Sequence, residues 1–99
     1  MNETELFKLA AYVLSSGYRE RTMHVLHEYE PITPKYIAKY CEYRQNHVST
    51  VLKQLKEHGL VVCLNEEMRK SRLYCLTELG KSVYDVLPRL NSKNCEELE

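Results

Sequence analysis

Asn46, Ser49, Thr50 and Lys53 interleave with the apolar residues Val48, Leu52 and Leu55 in one short stretch of the chain. On a helix turning about 100° per residue, the apolar set gathers on one side with Val51 at its edge. The polar set gathers opposite, with Glu57 a turn later. Short hydroxyl and amide side chains near a helix start can approach base edges closely, and an asparagine can bond adenine through both amide atoms. The helix start itself offers backbone N–H groups and partial positive charge to a phosphate. A second group lies in Asn65 to Arg72, where Arg69, Lys70 and Arg72 sit between two apolar runs. Flanking strands would carry these cations towards a sugar–phosphate backbone or minor groove, although Glu66 and Glu67 reduce the segment to +1. Lys35, Tyr36, Lys39 and Tyr40 just upstream offer further, generic phosphate contacts.

Other chemistries find less support. The four cysteines, Cys41, Cys63, Cys75 and Cys95, are widely spaced, with no CxxC pairing. In a reducing compartment such thiols are read as small hydrophobes, and no cofactor or metal is expected. His24 and His27 have a spacing two zinc ligands can use, but no Cys/His group closes a ligand set. A regulatory disulfide between Cys63 and Cys75 would require suitable Cβ geometry. No nucleophile elbow, phosphate loop or zinc-protease motif is present, so an enzyme is not expected.

Charge argues both ways. Fourteen Lys and Arg balance fourteen Asp and Glu in 99 residues, where a nucleic-acid binder is expected to be basic. The distribution is uneven. From Lys35 to Arg72 eight basic residues face four acidic ones, giving +4, and the remainder has six against ten, giving −4. Attraction to phosphate is local, because the Debye length is about 8 Å at physiological salt. A neutral molecule can therefore present a basic patch.

The elements that would hold these residues follow from period and punctuation. Asn2 is placed to cap a first helix containing Leu6, Phe7, Leu9, Ala10, Ala11, Val13 and Leu14, with Glu5 completing a capping box. Ser15-Ser16-Gly17 breaks it. A second helix presents Tyr18, Thr22, Val25, Leu26 and Tyr29 on one face and stops before Pro31. Thr33-Pro34 pairs an N-cap with a first-position proline and opens a short helix through Cys41. Glu42 and Tyr43 make a turn, a helix of about 44–58 follows, and Gly59 closes it. Leu60 to Leu64 and Arg72 to Leu76 read as a hairpin around the polar loop. Thr77 caps a last helix, expected to end at Pro88.

This order, mainly α with a small β-hairpin (an α+β chain), is that of a winged helix-turn-helix, with residues 44–58 as recognition helix and 65–72 as wing. One domain is expected over residues 1–90, with N- and C-terminal support helices and a polar, frayed tail at 91–99. No apolar run is long enough to span a bilayer and Met1-Asn2-Glu3 lacks a basic start, so a cytoplasmic setting is expected.

The run HVSTVLKQLKEHGLV, a polar wing and RLYCLTELG together resemble the winged-helix transcription regulators of the MarR/ArsR type, in a small form similar to archaeal members. The likeness covers roughly Tyr18 to Leu87. Its most specific parts are Val48, Ser49, Leu52, Leu55, Gly59, Leu60 and Val61, followed by Leu76, Thr77 and Gly80. The resemblance implies DNA contact by Arg44, Gln45, Asn46, His47, Ser49, Thr50 and Lys53. It departs from the pattern at Ser71, where such wing tips often carry glycine. The resulting expectation is a sequence-specific regulator of transcription bound to double-stranded DNA. The alternative is a protein-interaction module within a larger complex, which would more often present apolar or aromatic residues on the Asn46–Lys53 face. A homodimer is expected, because one recognition helix reads few base pairs, and the strongly apolar first helix offers a surface for it. No small-molecule effector is evident, since nothing in the sequence indicates a pocket.

Overall fold

The computed structural model describes residues 2–98, with side chains through Leu90. Helix α1 spans Glu3–Leu14, α2 Gly17–Tyr29, α3 Pro34–Cys41 and α4 Gln45–Glu57. Strands β1, Val61–Cys63, and β2, Tyr74–Leu76, precede α5, Glu78–Leu98. The strands are antiparallel, with Val61 opposite Leu76, Val62 opposite Cys75 and Cys63 opposite Tyr74. No helix among the described residues is long and apolar enough to cross a membrane.

The starts and stops follow local chemistry. Asn2 Oδ1 accepts the Glu5 N–H at 2.8 Å, and Ser16 and Thr33 cap α2 and α3 in the same way. Glu42 takes a left-handed φ of 61°, which reverses the chain between α3 and α4. Gly59, at φ 74°, ends α4, with its N–H on the Lys56 carbonyl and the Leu60 N–H on the Leu55 carbonyl. Val13, Met23, Leu26, Ile37, Val48, Leu52, Leu55, Leu60 and Val83 are all fully buried in one contiguous cluster. Helices α1 and α5 lie against each other, and α2 packs on α3, α4 and β2.

Two expectations change, and one contact is new. Pro88 does not end α5, which continues to Leu98. A proline inside a helix removes one N–H and crowds the preceding turn, but α1 contacts the helix beyond it. Arg89 lies over the Phe7 ring at 5.3 Å and pairs with Glu3 at 3.9 Å, so the turn that follows the proline rests against α1. The side chains from 91 onward lie outside the described residues, and with them the expectation of a frayed tail. Tyr18 and Tyr29 are exposed rather than core-facing, and Met23 fills the interior instead. Each tyrosine ring packs at the rim, Tyr18 edge-on to Tyr43 at 4.7 Å and Tyr29 stacked on Tyr40 at 4.5 Å. Finally, Ile32 forms a bridge with Tyr74, each N–H bonding the other's carbonyl at 3.1 and 2.9 Å. This stub ties the α2–α3 connection to the returning strand.

The close of the hairpin explains the LTxxG run. Thr77 N–H donates to the Leu60 carbonyl, and its hydroxyl donates to the Gly59 carbonyl at 2.6 Å. That hydroxyl also accepts the Gly80 N–H at 3.0 Å, so one threonine latches the end of α4 to the start of α5.

Candidate nucleic-acid interface

Helix α4 divides cleanly. Val48, Val51, Leu52 and Leu55 are buried, while Arg44, Gln45, Asn46, His47, Ser49, Thr50 and Lys53 are exposed. The division follows from the interleaved spacing, because the inner stripe must seat on α2 and α3 and so leaves the polar row bare. Arg44 occupies the N-cap without a side-chain cap bond, so no side chain occupies the first-turn N–H groups from that position.

A groove of about 870 Å³ runs between α4, the start of α3 and the wing. Gln45, Ser49 and Lys53 line it from α4, and Arg69, Lys70 and Arg72 line it from the wing. Arg44, Asn46, His47 and Thr50 share the exposed face but lie outside the groove wall. The Thr50 hydroxyl donates to the Asn46 carbonyl at 3.0 Å, which leaves its lone pairs facing outward as acceptors. The His47 ring meets Tyr18 edge-on, with centroids 5.4 Å apart.

Lys56 also lines the groove, with Lys35 and Tyr36 from α3. Lys56 was absent from the sequence-based set, although its position three residues after Lys53 puts it on the same side of the helix. The groove wall thus carries Lys35, Lys53, Lys56, Arg69, Lys70 and Arg72 and no carboxylate. Glu66 lies outside that wall but pairs with Lys56, so it offsets one of the six cations, as its expected dilution of the wing implies. That hydrogen bond, reinforced by charge, holds the Glu66 carboxyl below the usual range and the Lys56 ammonium above it. Both groups are therefore ionised at neutral pH, and the pair fastens the wing to the end of α4.

The wing geometry has its own signature. Ser71 adopts a left-handed φ of 57°, where regulators of the type it resembles often place glycine. That conformation costs an L-residue about 1–2 kcal/mol, against about 0.5–1 kcal/mol for the extra freedom of an unfolded glycine. Ser71→Gly is expected to stabilise the protein by about 0.5 kcal/mol, read as a small rise in Tm. A fall in Tm would show that the residue is not held in that conformation.

Arg72 makes contacts that the sequence does not show. Its Nε donates to the Met68 carbonyl at 2.6 Å and Nη2 to the Glu66 carbonyl at 3.1 Å. Its guanidinium is turned onto the wing's own backbone, although it still borders the groove.

The thiols and histidines do not assemble into a second centre. Cys63 faces the same side of the hairpin as Tyr74, and Cys75 the same side as Val62, so the two sulfurs lie on opposite faces and cannot join without breaking the register. Burial pushes the Cys41 and Cys75 thiols up, with Arg21 opposing the shift at Cys41. His24 Nδ1 lies 2.7 Å from the Tyr84 hydroxyl, and the His27 ring stacks on Tyr84 at 4.1 Å. No group of three or more His, Cys, Asp or Glu among the described residues is placed to hold a metal ion. The expectation that nothing indicates a pocket is amended by an open cleft of about 590 Å³ between α2 and α5, bordered by Arg21, His24, Tyr84 and Leu87.

No family model matches the chain, and no curated protein matches it. Solved structures do. A MarR-family transcriptional regulator from Silicibacter pomeroyi superposes with a TM-score of 0.70 at 22% identity, over 97% of this chain and 66% of its own. Staphylococcus aureus MarR, in complex with salicylate and kanamycin, gives 0.72 at 20% identity, over 92% and 64%. The transcriptional repressor CouR, bound to a 23-mer DNA duplex, gives 0.74 at 16% identity, over 96% and 70%. The chain spans just under two thirds of the length of the first two. At these identities the likeness establishes the fold, the winged helix of MarR-type regulators.

Proposed function

We propose that the chain is a sequence-specific regulator of transcription that binds double-stranded DNA as a homodimer in the cytoplasm, with α4 in the major groove and wing 65–72 on the backbone. The observation that carries this reading is the bare row from Arg44 to Lys53 beside a groove walled by six cations, of which Lys56 alone is paired with a carboxylate, that of Glu66. Phosphates reward such a wall through counterion release, and base edges reward short amide and hydroxyl groups on the helix. CouR, of the same fold, is bound to a DNA duplex. Residue roles divide accordingly. Gln45, Asn46, Ser49 and Thr50 read base edges. Arg44, His47 and Lys53 meet the flanking phosphates, and Arg69 and Lys70 meet the backbone from the wing.

The protein-docking alternative fits this face poorly, because its residues are charged, amide or hydroxyl, with His47 as the one aromatic ring. A second copy is assigned to the α1–α5 side, where Leu6, Phe7, Leu9, Leu14 and Leu90 remain only partly covered. Selection from random duplexes at stated salt tests the whole reading. Enrichment of two inverted half-sites about one helical turn, 34–36 Å, apart is expected. Recovery of no motif, or of a single unpaired half-site, would contradict sequence reading or dimeric binding respectively.

A further inference from the structure

The wing tip is tied at both ends by side chains that bond its own backbone. Asn65 Oδ1 accepts the Leu73 N–H at 2.7 Å, and its Nδ2 donates to the Ser71 carbonyl at 3.2 Å. Its backbone carbonyl accepts the Met68 N–H at 3.0 Å. From the other end, Arg72 reaches across to the carbonyls of Met68 and Glu66. The first and last residues of the loop thus hold the segment between them, while Glu66 anchors it to Lys56 on α4. By contrast, the side chains of Arg69 and Lys70 make no hydrogen bond or ion pair among the described residues, and both border the groove.

We propose that Asn65 and Arg72 are positioning residues: together they clamp the wing so that Arg69 and Lys70 project into the groove, and Arg72 acts through that clamp rather than by touching phosphate. The physical reason lies in the ordering cost. A charged, exposed eight-residue loop would otherwise sample many conformations, and fixing each backbone residue costs about 1–2 kcal/mol. A clamp assembled in the free protein removes that cost from the binding step. The guanidinium is suited to this use because its fork presents donors in a fixed plane, which two separate carbonyls can share. A lysine has the charge without the fork.

This inference rests on the DNA-binding reading for its consequence but not for its geometry, and the experiment separates the two. Arg72→Lys, Arg72→Gln and Asn65→Asp (which keeps the acceptor for Leu73 and loses the donor to Ser71) are compared with wild type by heteronuclear NOE of the 66–71 amides without DNA. All three are expected to lower those values while Tm stays near wild type, because the loop is exposed. On duplex DNA, Arg72→Lys and Arg72→Gln are expected to weaken binding equally, by roughly tenfold. The slope of log K against log salt should fall by about two, as Arg69 and Lys70 both lose their phosphates. In an Arg69→Ala/Lys70→Ala background, Arg72→Lys should add no further loss. The proposal is overturned if the amides keep their rigidity. It is equally overturned if Arg72→Lys binds like wild type while Arg72→Gln lowers the slope by about one, which is the behaviour of a direct phosphate contact. Loosened amides in a protein whose wild type ignores DNA would refute the regulator reading and leave the clamp standing.

Discussion

Gly80→Ala is expected to destabilise the protein by about 3 kcal/mol, the upper part of the range for forcing an extra methyl into a packed interior. A Cβ built there would lie 2.1 Å from the Leu60 carbonyl oxygen and 3.1 Å from its carbon, so the obstacle is backbone rather than a rotatable side chain. Leu60 cannot retreat. Its N–H is bonded to the Leu55 carbonyl, its carbonyl accepts the Thr77 N–H, and its side chain is fully buried. The first turn of α5 would have to lift from the hairpin and strip the Thr77 latch. Gly17→Ala is the matched control, since a Cβ there meets nothing within 4 Å, and it should be neutral or slightly stabilising. Equilibrium urea unfolding of the two variants decides the matter. An unchanged midpoint for Gly80→Ala would mean that α5 does not approach Leu60 as described.

The largest expected effect on binding is that of Ser49→Glu. Ser49 is exposed, lies on the groove wall and is flanked on its helix face by Lys53, so the new side chain folds without cost and projects where the duplex would rest. A carboxylate set against phosphates is expected to cost about 3 kcal/mol, or roughly a hundredfold in Kd, with the melting temperature retained. Two milder substitutions separate charge from readout. Lys53→Ala should weaken binding to every duplex alike and lower the salt slope by about one. Asn46→Ala or Thr50→Ala should instead relax preference at one or two base positions, by about 1–3 kcal/mol on the preferred site. Fluorescence anisotropy on matched and scrambled duplexes checks all of these, and wild-type affinity in Ser49→Glu would move the interface away from α4.

Much of the architecture was legible because it is written in local chemistry. Thr33-Pro34, Gly59 and Thr77 mark helix boundaries by capping rules that hold wherever the chain goes. The inner stripe of α4 was readable because the spacing of Val48, Leu52 and Leu55 admits only one buried side, and that in turn exposed the candidate row. What escaped depends on partners distant in sequence. Pro88 reads as a stop until Arg89 is seen against Glu3 and Phe7. Ile32 stands between Pro31 and Thr33 with no strand-like neighbours, and only Tyr74, far along the chain, gives it a ladder. The two ends of α2 were misjudged because tyrosine is apolar in its ring and polar at its tip, and both rings found aromatic partners at the rim. Arg72 shows the limit most clearly. A basic residue beside a loop reads as a contact, and its bonds to Met68 and Glu66, which depend on how the loop folds back, leave no trace in the sequence.

The central claim, that the exposed row of α4 and the wing opposite it form one surface for duplex DNA, is tested most directly by titrating isotopically labelled protein with the selected duplex in dilute buffer and following its amide resonances. Shifts are expected at residues 44–53 and 66–72, reversed by added salt, with α1 and the buried stripe of α4 nearly still. Resonances of those two segments that hold their positions, or shifts gathered on another face, would contradict it.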